Sequence, residues 1–195
     1  MVPDQRVTGR PCSKPRSAPQ IRIVKAARDL FGEHGVSGTS LQMIADAVGV
    51  TKAAVYRQFK TKDEIIIAVT ELQLARFADA LEAAEAQENR SRARELLFNQ
   101  VIDMVVEERR MVGILQADPV IIRLLAEHQP FQLFIERLNR ALIGDATNTE
   151  SSVQAAMLLG AISGAVTHPL VTHLDAAVLR SQLLRLTRRL IDRPE

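Results

Sequence analysis

Residues 51–58 read Thr51, Lys52, Ala53, Ala54, Val55, Tyr56, Arg57, Gln58. Wound as a helix, this stretch turns Ala54 and Val55 inward and leaves Thr51, Lys52, Ala53, Tyr56, Arg57 and Gln58 outward. Hydroxyl and cationic groups reach phosphate oxygens, and small side chains admit close approach to base edges. A Gln among them can read adenine or hold phosphate. The chemistry on offer is nucleic-acid binding. The competing reading puts Tyr56 and Phe59 in the core of a small helical domain, with Lys52, Lys60 and Lys62 as a solvated face.

Such a surface needs elements to hold it. Thr39-Ser40-Leu41-Gln42 has the form of a capping box, opening a short helix with Met43, Ile44 and Ala47. Gly49 closes that helix, because a residue without Cβ takes the positive φ of a tight turn. Thr51 is then the N-cap of the next helix. The two helices form a helix-turn-helix over about residues 40–59. Ala45 permits their close approach, and Ile44, Val50, Val55 and Phe59 are the expected shared core. Upstream, Pro19 marks the start of a helix carrying Ile23, Ala26, Ala27, Leu30 and Phe31 and ending at Gly35. Downstream, Thr61-Lys62-Asp63-Glu64 is a second capping box, opening a long helix to about Ala86. Ile65–Thr70 within it is β-branched and locally strand-like; the cap before it and the helical spacing after it predict helix.

At these positions the sequence resembles a known family. Thr39, Ser40, Ile44, Ala45, Gly49, Val50, Thr51, Val55, Tyr56, Phe59, Lys62, Asp63, Glu64 and Ile65, preceded by Ala26, Ala27, Leu30, Phe31 and Gly35, fall at the spacings of the DNA-binding domain of the tetracycline-repressor (TetR) family of bacterial regulators. The resemblance covers about residues 20–68. It implies that Thr39 and Ser40 meet phosphate at the start of the second helix and that Thr51, Lys52 and Ala53 enter the major groove. It also implies that Tyr56 bonds a backbone phosphate and that Lys62 pins the other strand. Gln58 stands where the family commonly has His or Tyr.

Charge is partitioned to match. Of the 195 residues, 25 are Lys or Arg and 23 Asp or Glu. Residues 1–63 hold 11 basic against 5 acidic, a net of +6, and residues 64–195 hold 14 against 18, a net of −4. A basic head on an acidic remainder suggests that the first part meets a polyanion. Residues 1–18, with Arg6, Arg10, Lys14 and Arg16 among three prolines, read as a flexible basic arm. Gly9-Arg10-Pro11 resembles the core of a minor-groove AT-hook, against the alternative of a tail adding non-specific attraction.

Several classes are set aside. One cysteine, Cys12, excludes an intramolecular disulfide framework, and the N-terminus lacks the apolar segment of a secretory signal. The most apolar stretch, Val153–Val166, is shorter than the ~20 residues that span a bilayer. A cytoplasmic location without membrane contact is expected. No G-x-S-x-G, P-loop or G-x-G-x-x-G motif is present, and His34, His128, His168 and His173 share no metal-ligand spacing. Neither an enzyme, a cofactor nor a metal site is expected.

The rest of the chain reads as helical, and the fold class as all-α: a three-helix DNA-binding domain over 19–68 and a helical effector-binding and dimerisation domain over 69–195. Residues 92–110 are apolar nearly all round and belong in the middle of a bundle. Leu179, Leu183, Leu186 and Leu190 make a coiled-coil-like seam, and Gly160 and Gly164 allow close helix approach. Pairing with a second copy is expected, with intrachain packing as the alternative. The resemblance implies a small-molecule cavity among these helices, and Phe77, Phe98, Met104, Met111, Phe131, Phe134 and Met157 are candidates to line it for a hydrophobic effector, or equally to form a plain core. Together these point to a homodimeric regulator binding double-stranded DNA, a repressor released from a palindromic operator by a small hydrophobic ligand. The alternatives are an activator, or a ligand-sensing helical protein with a non-repressing head.

Overall fold

The computed structural model describes residues 15–143 and 149–191. Among the described residues all regular structure is helical: α1 (Ala18–Gly38), α2 (Leu41–Val48), α3 (Lys52–Gln58), α4 (Lys62–Glu85), α5 (Arg90–Glu107), α6 (Arg109–Ala117), α7 (Pro119–Glu127), α8 (Gln129–Ile143), α9 (Thr149–Thr167) and α10 (Ala176–Ile191). They group into two compact units. The head unit comprises the chain up to Ala78 together with Val120–Arg137, and the body unit comprises Asp79–Pro119 and the chain from Leu138 onward. The expected boundary at 68/69 falls inside α4, which is continuous there.

The head forms from strong local signals. Ser17 caps α1, its hydroxyl accepting from Gln20 N while Gln20 Oε1 accepts from Ser17 N at 3.0 Å. Pro19 lies in the first turn, where no backbone donor is needed. Ile23, Val24, Ala27 and Phe31 are buried as one stripe, and α1 packs on α2 and α3. The helix runs past its expected end at Gly35, which holds φ 72° as a kink. α4 opens with Thr61 Oγ1 accepting from Glu64 N at 3.1 Å. The reciprocal bond runs from Lys60 N to Glu64 Oε2 at 2.7 Å, one residue before the cap.

The strand-like run Ile65–Thr70 is helical. Ile65, Ile66, Ala68 and Val69 are buried, and the Thr70 hydroxyl donates to Ile66 O at 3.0 Å. Helix propensity disfavours a β-branched residue by at most about 0.7 kcal/mol, whereas burying its side chain is worth about 1.5–3 kcal/mol. Burial decides. Ile121 of α7 and Phe134 of α8 complete the apolar set of this unit.

In the body unit α5 packs against α6, α9 and α10. Its central place was legible in its composition: Leu97, Phe98, Val101, Ile102, Met104, Val105 and Val106 are all buried. Gly113 lets α6 approach α9, since a Cβ there would lie 3.2 Å from Thr167 Cγ2. On the α5–α10 surface Arg188 pairs with Glu95 at 2.6 Å, and Arg180 grips both carboxylate oxygens of Asp103. Hydrogen bonding and then the charge of Asp103 raise Arg180 above its ordinary pKa, so the pair does not lose its cation at any physiological pH. No described helix is long and apolar enough to cross a membrane.

Candidate nucleic-acid interface

The turn between α2 and α3 is built as its residues require. Gly49 sits at φ 74°, ψ 38°, in the left-handed region, with its N–H on Ala45 O and Asp46 O. Thr51 Oγ1 accepts from Ala54 N at 3.2 Å and starts α3. Ile44, Ala45 and Val55 are fully buried beneath the turn, and Phe59 nearly so. Val50, expected in that core, is 36% exposed. It lies within the turn itself, where the chain reverses over the helices rather than between them.

α3 is seven residues long and presents the expected face. Thr51, Lys52, Ala53, Tyr56 and Arg57 are exposed and Gln58 is half-buried. The Lys52 ammonium lies 5.9 Å from the Tyr56 ring centre, so a cation and a phenol hydroxyl stand together on one helical turn. Two side chains of α1 hold the C-terminal ends of α2 and α3. Arg22 donates to Val48 O at 3.0 Å and Gln20 Nε2 donates to Gln58 O at 3.5 Å. Neither contact is legible in the sequence, because a polar residue on a helix has no local mark that distinguishes a long-range partner from water.

The start of α2 corrects one assignment. Its N-cap is Ser40, whose hydroxyl accepts from Met43 N at 3.1 Å, and Ser40 is exposed. Thr39 is 1% exposed, and its hydroxyl donates towards Gly35 O at 2.8 Å and Leu30 O at 3.2 Å. It is a strut for the kinked end of α1, so the expected phosphate contact there rests on Ser40 alone. Thr39→Val should therefore lower head stability by about 1–3 kcal/mol, the cost of leaving buried carbonyls unsatisfied. Thermal unfolding reads this; duplex affinity measured well below the melting temperature should not move. Lys62 is half-buried and its Nζ donates to Val36 O at 2.5 Å, which leaves two of its three N–H groups for another acceptor.

The body residues are distributed differently from the expectation. Leu179 and Leu183 are buried inside their own unit, at 3% and 7% exposure, together with Thr187. They pack α10 into the chain's own core, since α5 and α9 occupy that side. Leu186 is 48% exposed, and Leu190 lies in α10 but its side chain falls outside the described residues. Met157, expected in an interior pocket, is 69% exposed on α9, because the helix turns Ile162 and Val166 inward instead. A Cβ built at Gly160 or Gly164 meets nothing within 4 Å. Val153 and Met157 on α9 and Val178 and Leu186 on α10 are thus exposed apolar residues.

A cavity of about 330 Å³ lies between α5 and α10, lined by Ser91, Arg94, Glu95, Phe98, Asn99, Ile102, Leu184, Thr187 and Arg188. Of the residues expected to line a pocket, only Phe98 borders it. Met104, Met111 and Phe134 are buried core, and Phe77 and Phe131 are half-buried. Among the described residues no three His, Cys, Asp or Glu side chains form a metal-binding group. Residues 1–14 of the expected basic arm lie outside the described residues.

The fold and the exposed α3 face together define a helix-turn-helix domain with an open second helix. Residues 23–69 match the family model described as bacterial regulatory proteins, tetR family, and this part of the chain is a tetR-family domain. The HTH-type transcriptional regulator AcrR of Shigella flexneri is 36% identical over 91 residues, covering 45% of this chain and 42% of that protein. The HTH-type transcriptional repressor Rv3405c of Mycobacterium tuberculosis is 36% identical over 106 residues, covering 47% and 56%. The chain thus spans about half the length of these curated relatives. The transcriptional regulator FadR from Bacillus subtilis, solved in complex with stearoyl-CoA, shares the fold at a TM-score of 0.69 and 16% identity, covering 90% of this chain and 99% of that one.

Proposed function

We propose that this chain is a homodimeric, sequence-specific DNA-binding transcriptional regulator, acting as a repressor released by a small hydrophobic ligand. The observation that carries the reading is the α3 face. Thr51, Lys52, Ala53, Tyr56 and Arg57 project from a short helix whose start, turn and buried side are each specified by a capping or packing residue. With Ser40 at the start of α2 and Lys62 at the start of α4, cations and hydroxyls rim a surface whose centre is small. Phosphates accept from the rim, and Ala53 admits a base edge. Gln58, at the end of α3, reads adenine or holds phosphate in this arrangement.

Dimerisation is supported by the exposed apolar residues Val153 and Met157 of α9 and Val178 and Leu186 of α10, and by Gly160 and Gly164, where an added Cβ would meet nothing within 4 Å. A two-fold contact buries each of these side chains twice. Two recognition helices then read a palindrome whose half-sites lie one duplex turn apart, about 34–36 Å. Names of relatives that include a transcriptional repressor, and a neighbour bound to stearoyl-CoA, support repression and a hydrophobic effector.

Selection of bound duplexes from a random library by the full-length protein tests the reading. A palindromic consensus bound with steep salt dependence is expected, and equal retention of all sequences would refute it. Lys52→Ala and Arg57→Ala should each reduce the slope of log affinity against log salt by about one. An unchanged slope in titrations from low to moderate salt would place that cation away from the phosphates.

A further inference from the structure

Glu71, midway along α4, is engaged from two directions. Arg16, the residue before the α1 cap, forms an ion pair with Glu71 Oε2, and His128 Nε2, at the α7–α8 corner, lies 3.5 Å from Glu71 Oε1. All three side chains are largely shielded, at 19%, 13% and 18% exposure for Arg16, Glu71 and His128. The contact continues beyond Arg16. Ser17 N donates to Gln20 Oε1 at 3.0 Å, and the other end of that amide, Nε2, donates to Gln58 O at the last residue of α3. One amide therefore closes the α1 cap and holds the recognition helix. Every member of this chain of contacts belongs to the head unit.

We propose that Glu71 is a positioning residue for the recognition helix, acting through Arg16 and Gln20, and that His128 gives the α7–α8 corner a hold on the same carboxylate. A shift of that corner changes the grip of Glu71 on Arg16, and the four-residue start of α1 carries the change to Gln58. The route is polar and peripheral, separate from the buried stripe of Ile23, Val24, Ala27 and Phe31. Its consequence for regulation rests on the DNA-reading function proposed above, but the coupling is a property of the free protein.

Hydrogen exchange on the full-length protein without DNA tests it. The reporters are the Val55 and Phe59 amides, which donate to Thr51 O and Val55 O. Glu71→Gln and Arg16→Ala should each speed exchange at these amides by about fivefold, the scale of a partly shielded ion pair. The double variant should be no faster than either single one, because both remove the same link. Gln20→Glu keeps the acceptor that caps Ser17 and loses the donor to Gln58, and should match them. Arg16→Lys should restore slow exchange to a large extent. His128→Asn should raise exchange at α3 only while Glu71 is present.

Unchanged exchange at Val55 and Phe59 in Glu71→Gln would overturn the proposal. So would acceleration spread evenly over α1 and α2, which marks general destabilisation, or additive effects of Arg16→Ala and Glu71→Gln. A wild-type protein that enriches no duplex from the library would overturn the DNA-reading function instead, and the exchange result would stand apart from it.

Discussion

Met157→Asp combined with Leu186→Asp should convert the proposed dimer into a folded monomer. In a two-fold contact the pair removes four apolar side chains, each worth about 1.5–3 kcal/mol when buried. The four introduced carboxylates also bring like charge into the contact. Self-association should weaken by on the order of 10⁴-fold or more, and light scattering should report half the mass at micromolar concentration. Each monomer keeps its head, since both residues are solvent-facing in the protomer and support no core. Operator binding should fall with the dimer, because a single recognition helix contacts only a half-site. Far-ultraviolet circular dichroism should be unaltered. A dimer that survives both substitutions would show that other surfaces make the contact. Leu183→Asp makes the contrast: Leu183 is 7% exposed, so the charge is forced into the body core and the expected result is unfolding rather than dissociation.

Ile44→Ala should give the reverse phenotype. Ile44 is 0% exposed, on the helix that packs against both α1 and α3. Truncation of a buried Ile costs about 2–5 kcal/mol, the upper part of the range arising where neighbours cannot collapse into the space. Ala45 is already the small residue at this crossing, and α3 is held by only seven residues, so relaxation is limited. The head should lose much of its stability while the dimer mass is retained. Specific duplex binding should then disappear at temperatures where wild type binds. Calorimetry with an unchanged melting profile would refute this role for Ile44. The two experiments separate the reading surface from the surface that duplicates it.

The sites most readable from sequence were those made within a few residues of one another. Gly49 had to take a positive φ, Thr51 had to cap, and the outward set of α3 followed from helical spacing once those ends were known. Even there, neighbouring residues of equal local merit were not resolved. Thr39 and Ser40 are both good N-caps, and the choice went to Ser40 because the carbonyls of Gly35 and Leu30 take the Thr39 hydroxyl. Lys62 was seen as a cation at a helix start. That its ammonium rests on Val36 O depends on where α1 ends in space.

Further from the turn, periodicity identified helices but not their neighbours. Leu179, Leu183 and Leu186 share one coiled-coil-like spacing, and α5 claims the first two together with Thr187, leaving Leu186 outside. Met157 and Met104 are the same residue type on apolar helices; one is 69% and the other 6% exposed. No local rule separates them.

The amino-acid sequence by itself determined the head's helix starts to within a residue, the left-handed turn, the outward chemistry of α3 and the segregation of positive charge into the first 63 residues. These depend on backbone sterics and on hydrogen bonds closed within about four residues. Only the tertiary structure decided which apolar stripe is core and which is open surface, and where Arg16, Gln20 and Glu71 find partners. Burial and long-range polar contacts are set by residues dozens of positions away, and a side chain's type does not specify the neighbour that removes it from water.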